Sequence, residues 1–255
     1  MSIEVVRPAD LDNAPEMPGG YRGRFLYTGE SCKVIATKVP PGVSGPPNHI
    51  HPGGDQLYFI VEGETMIKLG SEVRLVETNS LIFIPAGVPH HSWNAGEVPD
   101  INLEIIAPSP PPLASLAEMT DSDDAMGLPY CVKTLDRPLS EAAGQDSAWL
   151  LGGAEGSSHL GVRIDLLAPG NSGPALHVHD VDQFYFVLDG ALTVQAGLRT
   201  SEAEPKSLVA IPAGVPHRRW NAGSTPVRHL SILSPVTEEP GMPVRMSDAP
   251  AQITA

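Results

Sequence analysis

The sequence predicts an all-β protein made of two tandem antiparallel barrels. Three observations lead there: a repeat the size of a whole domain, many short apolar runs closed by turn residues, and no helical periodicity beyond three turns.

The repeat comes first, because a fixed internal period decides architecture. Ile84-Pro-Ala-Gly-Val-Pro-His90 recurs unbroken as Ile211-Pro-Ala-Gly-Val-Pro-His217, an offset of 127. The same offset joins Trp93-Asn94-Ala95-Gly96 to Trp220-Asn221-Ala222-Gly223, Asp55-Gln56 to Asp182-Gln183, and Gly63 to Gly190. Further upstream the offset is 128: His49 and His51 answer to His177 and His179, and Ser44-Gly45-Pro46 to Ser172-Gly173-Pro174. The second copy therefore lacks one residue between its His pair and its Gln. A period this long is no solenoid unit but a duplicated domain. The expected division is residues 1–107 and 130–255, joined by a linker at 108–129. The linker opens on Pro108-Ser-Pro-Pro-Pro112, which is stiff and poor in sheet donors. One helical turn is expected around Leu113–Met119.

The elements follow in order. Ile3–Val6 and Tyr130–Leu135 open the two halves, each ending at an Arg-Pro pair. Strands are expected at Lys33–Val39, Gln56–Val61, Thr65–Leu69, Leu81–Ile84 and Ile101–Ile106 in the first half. In the second they are Gly161–Leu167, Gln183–Leu188, Leu192–Ala196, Leu208–Ile211 and His229–Leu233. Gly, Pro or Asn close these runs. The 25 glycines and 27 prolines thus mark turns rather than disorder. Short strands at close, even spacing build sandwiches or barrels.

A net charge of −14 argues against nucleic acid and anionic membrane as partners. It fits a protein that handles small molecules. Cys32 and Cys131 show neither a pairing pattern nor metal spacing, and are expected as reduced thiols in the cytoplasm. Neither a signal peptide nor a membrane span is expected.

Nine histidines occur, and six fall at equivalent places in the halves. His49-Ile-His51 and His177-Val-His179 each place two imidazoles on one strand face, because side chains alternate with period two. Gln56 and Gln183 open the next strand, and His90 and His217 follow each Gln by 34 residues. Each set offers three imidazole nitrogens and an amide oxygen. Such donors suit a divalent transition metal such as Fe, Ni, Mn, Cu or Zn, one per domain, with positions left open for substrate. Gly87 and Gly214 are expected in the tight turn that presents the third His, with Asn94 and Asn221 tying that turn. Trp93 and Trp220 read as packing residues, and His91 as a surface residue.

These residues resemble the cupin superfamily. Its first motif, with H-x-H, an acidic residue and a later Gly, is similar to Ser44–Gly63 and Ser172–Gly190. Its second, P-x-G-x-x-H-x-x-x-N, is matched by Pro85–Asn94 and Pro212–Asn221. Gly45 and Gly173 stand closer to the first His than the family pattern has them. The Gly that opens the second motif is replaced by Asn79 and Lys206. The resemblance implies a small jelly-roll (double-stranded β-helix) barrel in each half with the metal inside, and an N-terminal strand that packs on the other half. In both halves the usual glutamate is glutamine, which neither carries charge nor takes a proton at neutral pH. Each site is thereby one unit more positive, which favours an anionic substrate.

The resemblance points to quercetin-dioxygenase-like chemistry: a metal-dependent dioxygenase of a hydroxylated aromatic, flavonoid-like or enolised dicarbonyl compound, with dioxygen as co-substrate. In flavonol-cleaving relatives the missing glutamate acts as the base. The alternatives are a non-oxidative lyase, isomerase or hydrolase using the metal as Lewis acid, and a metal-containing binding module. Glu104 is a candidate proton shuttle, against the simpler reading of a solvent-facing carboxylate. His229, aligned with Asn102, is the second catalytic candidate. Cupin barrels often pair through edge strands, so a homo-oligomer such as a dimer is expected.

Overall fold

The structure is a computed structural model that describes residues 1–6, 8–109, 117–135, 147–236 and 245–246. Its strands pair antiparallel in four sheets, two to each barrel. In the first barrel a six-stranded sheet runs Cys131–Thr134, Ser80–Ile84, Asp55–Glu62, Asp100–Ala107, Lys33–Val39, Arg22–Thr28. It faces a five-stranded sheet of Glu118–Met119, His49–Ile50, His90–Trp93, Glu64–Leu69 and Glu72–Glu77. The second barrel repeats this plan. Its larger sheet is Ser2–Val5, Ser207–Ile211, Asp182–Asp189, Val227–Ser234, Gly161–Leu167, Ser147–Leu151, and its smaller one is Arg199–Ala203, Leu192–Ala196, His217–Trp220, His177–Val178, Arg245–Met246.

The two six-stranded sheets pack against each other. Leu57, Phe59 and Leu103 of the first and Phe184, Phe186 and Leu230 of the second belong to one buried cluster. Phe59 and Phe186 meet edge to face at 5.3 Å. The opposite faces of these sheets line separate barrel interiors, with Tyr58, Ile60 and Ile82 in one and Tyr185, Val187 and Val209 in the other. Central strands buried on both faces read as unbroken apolar runs. That is why Asp55–Glu62 and Asp182–Asp189 stand out in the sequence.

Each barrel borrows a strand from the other half. Ser2–Val5 pairs with Ser207–Ile211, and Cys131–Thr134 with Ser80–Ile84. Reciprocal side-chain bonds reinforce the exchange. Asp55 accepts from Ser157 Oγ at 3.2 Å and Ser158 N at 3.1 Å. Asp182 accepts from Tyr27 Oη at 2.8 Å and from Ser31.

Two local expectations change. Glu118–Met119 is not helical but extended, paired with His49–Ile50; residues 113–116 of the expected turn lie outside the described residues. Asn79 and Lys206, which replace the motif glycine, have φ of +60° and +65°. The backbone keeps the left-handed turn without the residue that favours it.

Candidate metal centres

Each histidine cluster is assembled by a backbone clamp. His49 pairs with His90 across adjacent strands, and His177 with His217. The turn before the third His holds its glycine at φ +85° (Gly87) or +78° (Gly214). The amides of these glycines donate to His51 O at 3.0 Å and His179 O at 2.8 Å. Asp55 and Asp182, each next to a candidate Gln, accept from the same turns, through Ala86 N at 3.1 Å and Ala213 N at 2.9 Å. The carboxylates that join the barrels thus also fix the turns that present His90 and His217. Contrary to expectation, Asn94 and Asn221 do not tie those turns. Asn94 Nδ2 bonds Val39 O and Val98 O, and Asn221 Nδ2 bonds Leu167 O and Thr225 O, closing the loop after the strand.

All six histidines are buried. In each cluster the ring nitrogens that can serve as ligands lie within 4.8 Å of one another. Bonds of about 2.1 Å put two nitrogens on one tetrahedral ion about 3.4 Å apart, so the rings need draw together by no more than about 1–1.5 Å to close on a metal. His49, His90, His177 and His217 each hold Nδ1 at 2.7–2.9 Å from the carbonyl two residues earlier. That bond places the proton on Nδ1 and leaves Nε2 as a lone pair. His90 Nε2 and His217 Nε2 are buried with no hydrogen-bond partner. Burial, the largest influence in each case, lowers the pKa of His49, His179 and His217 to about 4 and that of His90 and His177 in the same direction. Converging imidazoles, two of them with buried and unpartnered Nε2 lone pairs, fit a divalent transition metal.

The glutamines sit beside the clusters, but their anchors differ. Gln56 Oε1 lies 3.0 Å from His51 Nε2, and its Nε2 donates to Glu104 Oε2 at 3.1 Å. Gln183 Nε2 donates instead to Ser231 Oγ at 2.8 Å. Glu104 is therefore no solvent-facing carboxylate. Its strand phase turns it into the barrel, where Thr37 Oγ1 also donates to it at 3.0 Å. Burial raises it to about 7, against those two hydrogen bonds, which lower it. His229 is fully buried, outside the histidine cluster, and accepts from Arg219 Nε at 2.6 Å. His91 is half-buried rather than a surface residue: Nδ1 lies 2.7 Å from Pro46 O, and the ring stacks on Trp93.

Sequence reasoning missed Arg163, Asp165 and Arg219, and the buried Asp100. Their signal was available in the inward phase of the strands. Arg219 follows His217 by two residues, and Asp100, Asn102 and Glu104 alternate along one strand.

Comparison with known proteins agrees with this architecture. A family profile described as "Cupin domain" matches residues 36–105 and again 164–233. An uncharacterized protein of Streptomyces coelicolor is 30% identical over 102 residues, 40% of this chain and 92% of that protein. One of Methanocaldococcus jannaschii is 33% identical over 87 residues, 34% of this chain and 66% of that protein. Among solved structures, salicylate 1,2-dioxygenase of Pseudoaminobacter salicylatoxidans, as its gentisate adduct, superposes with a TM-score of 0.69 at 14% identity, covering 91% of this chain and 81% of that one. Oxalate decarboxylase of Bacillus subtilis gives 0.64 at 15%, covering 91% and 77%. At these identities the structural likeness concerns the fold. Among the described residues no helix is long and apolar enough to cross a membrane. With the profile matching more than half of the sequence, once in each half, the chain belongs to the cupin family and carries two cupin domains.

Proposed function

We propose that the protein is a metal-dependent bicupin enzyme, a dioxygenase of hydroxylated aromatic or enolised dicarbonyl compounds. In this reading His49, His51, His90 and Gln56 hold one divalent transition metal, and His177, His179, His217 and Gln183 a second. The observation that carries it is the donor set: three neutral imidazoles and a neutral amide in each barrel. Such ligands leave the full charge of the ion uncompensated, which favours a substrate that arrives ionised. The bound metal would supply Lewis acidity and open positions for substrate oxygens and dioxygen. Apolar side chains such as Ile60, Ile67 and Val88 line the first interior and suit a ring or an acyl chain. The glutamines orient and do not take protons. Glu104, one step from Gln56, supplies the carboxyl group that the glutamine lacks.

That placement of Glu104 favours one other reading, non-oxidative Lewis-acid chemistry with Glu104 moving a proton at Oε1 or Oε2. The test begins with elemental analysis of protein purified without added metal. Two atoms per chain are expected, falling to one in His49→Ala and one in His177→Ala. Iron- or nickel-loaded protein is then titrated anaerobically with enolates and catechols and exposed to oxygen. Oxygen uptake supports the dioxygenase. Product without uptake assigns the non-oxidative reaction, and failure to hold metal refutes both.

A further inference from the structure

The barrels differ beneath their histidines. In the second, Arg219 lies on the inward face of the strand that carries His217, and is only 6% exposed. Its Nε donates to His229 Nε2 at 2.6 Å and its Nη2 to Asp165 Oδ2 at 2.9 Å. Arg163 Nη2 donates to the same Asp165 oxygen at 3.1 Å. Two guanidiniums therefore share one carboxylate. To accept from Arg219, His229 Nε2 must be unprotonated, so the ring is neutral and the cluster holds one positive charge in excess. His229 Nδ1 then carries the proton, and it is buried without a partner. Arg219, Asp165 and His229 are buried while Arg163 reaches partly into solvent; a buried guanidinium whose carboxylate is shared and an orphan buried donor are both costly unless something answers them.

The same places in the first barrel carry no charge. Strand pairing sets Ile35 against Arg163, Thr37 against Asp165, and Asn102 against His229; Ser92 stands for Arg219 at the repeat offset. Two carboxyl groups, Asp100 and Glu104, lie on this interior face. The buried atoms without a partner are now acceptors, Asp100 Oδ1 and Asn102 Oδ1. Lys33 shares the strand of Ile35, but at the level of Gln56 rather than beneath it.

We propose that the second barrel contains a site for a small organic carboxylate, formed by Arg219, Arg163 and the Nδ1–H of His229 beneath the histidine cluster, and that the first barrel lacks it. The two centres are then not interchangeable: the second holds a carboxylate beside its metal ligands through cations that the first does not have. This deepens the functional reading and rests on it for the metal that serves as reporter.

Cobalt(II)-loaded His49→Ala protein retains the second centre, and His177→Ala the first. Each is titrated with salicylate and with its uncharged amide, salicylamide, following the visible cobalt bands. Salicylate is expected to bind the second centre at least about tenfold tighter than the first, while salicylamide shows no comparable preference. Adding Arg219→Gln to His49→Ala removes the preference, and Arg219→Lys retains part of it. Equal salicylate affinity at both centres overturns the proposal, as does a preference that survives Arg219→Gln. If Arg219→Gln does not fold, Arg163→Gln is used, and an unchanged preference counts against the site. If neither single-centre protein takes up cobalt, the metal reading fails separately. Calorimetry on metal-free protein then decides: salicylate binding lost with Arg219→Gln supports the anion site, and no binding overturns it.

Discussion

Asp100 offers a quantitative test of the first barrel's polar interior. It is fully buried, accepts from Asn102 Nδ2 at 3.1 Å, and leaves Oδ1 without a partner. Burial raises its pKa from 3.8 to about 8, with Thr65 lowering it and Glu104 raising it further. In this interval the folded chain binds a proton that the unfolded chain does not. The neutral carboxyl's advantage is complete below pH ~4 and is lost as pH rises toward ~8, at about 1.4 kcal/mol per pH unit. The ceiling on the total is roughly 6 kcal/mol. Asp100→Asn keeps the shape, cannot ionise, and adds a donor for the orphan Asn102 Oδ1. The pI of 4.9 makes acid measurements impractical, so urea denaturation is run from pH 6 to pH 9. The stability of Asp100→Asn relative to the unaltered protein should grow by roughly 2–3 kcal/mol over that range, then level off. A difference that does not change with pH would refute the reasoning, because the asparagine and aspartate proteins share every other titrating group.

Three further outcomes are expected. Lys206→Gly relieves a left-handed backbone at a non-glycine residue and should stabilise by about 1 kcal/mol, read from the urea midpoint, with a smaller gain for Asn79→Gly because asparagine tolerates that conformation. Phe186→Ala should cost about 3–5 kcal/mol, and its combination with Phe59→Ala should be less than additive, since the two rings meet across the core that the barrels share. Stripping metal with a chelator should lower the thermal midpoint, and restoring zinc should raise it again; in His49→Ala the increment from metal shrinks because one cluster is broken.

The fold was legible because its central strands are buried twice over. Lys33–Val39, Gly161–Leu167 and Leu192–Ala196 have the bounds that their apolar runs predict. Strands with solvent on one side escaped notice: Glu72–Glu77 and Arg199–Ala203 are exposed at most positions, so their sequences carry charge where a core strand carries Val or Ile. The histidine clusters were legible through identity between the repeats. Arg219, Arg163 and Asp165 were not, for the opposite reason: they stand where the repeats differ, and identity is blind to them. Glu104 was assigned outward because a lone carboxylate on a strand usually faces water. Its pairing opposite Tyr58, whose side chain belongs to the first interior, reverses that phase.

This division between constant and variable positions has a structural cause. Along Asp55–Glu62 the residues Leu57, Phe59 and Val61 face the core between the barrels, while Gln56, Tyr58 and Ile60 face the first interior. Along Asp100–Ala107, Leu103 and Ile105 face the shared core, and Asn102 and Glu104 face inward. A change on the shared face disturbs two barrels at once, since both six-stranded sheets press on it, and close packing makes such changes expensive. A change on the inward face disturbs one. Along Asp100–Ala107 period-two alternation separates the two: Leu103 and Ile105 recur as Leu230 and Ile232, whereas the inward Asn102 and Glu104 change; along Asp55–Glu62 the inward Gln56 and Tyr58 are instead kept. The duplicate could exchange Glu104 for Ser231 and Asn102 for His229, while the same strand of each barrel kept Leu103 and Leu230 in the common core. The pairing of His229 with Arg219 shows such a change drawing in the facing sheet, again within one barrel. An all-β duplication can in this way keep one scaffold and one histidine cluster per half while giving the two interiors different polar surroundings.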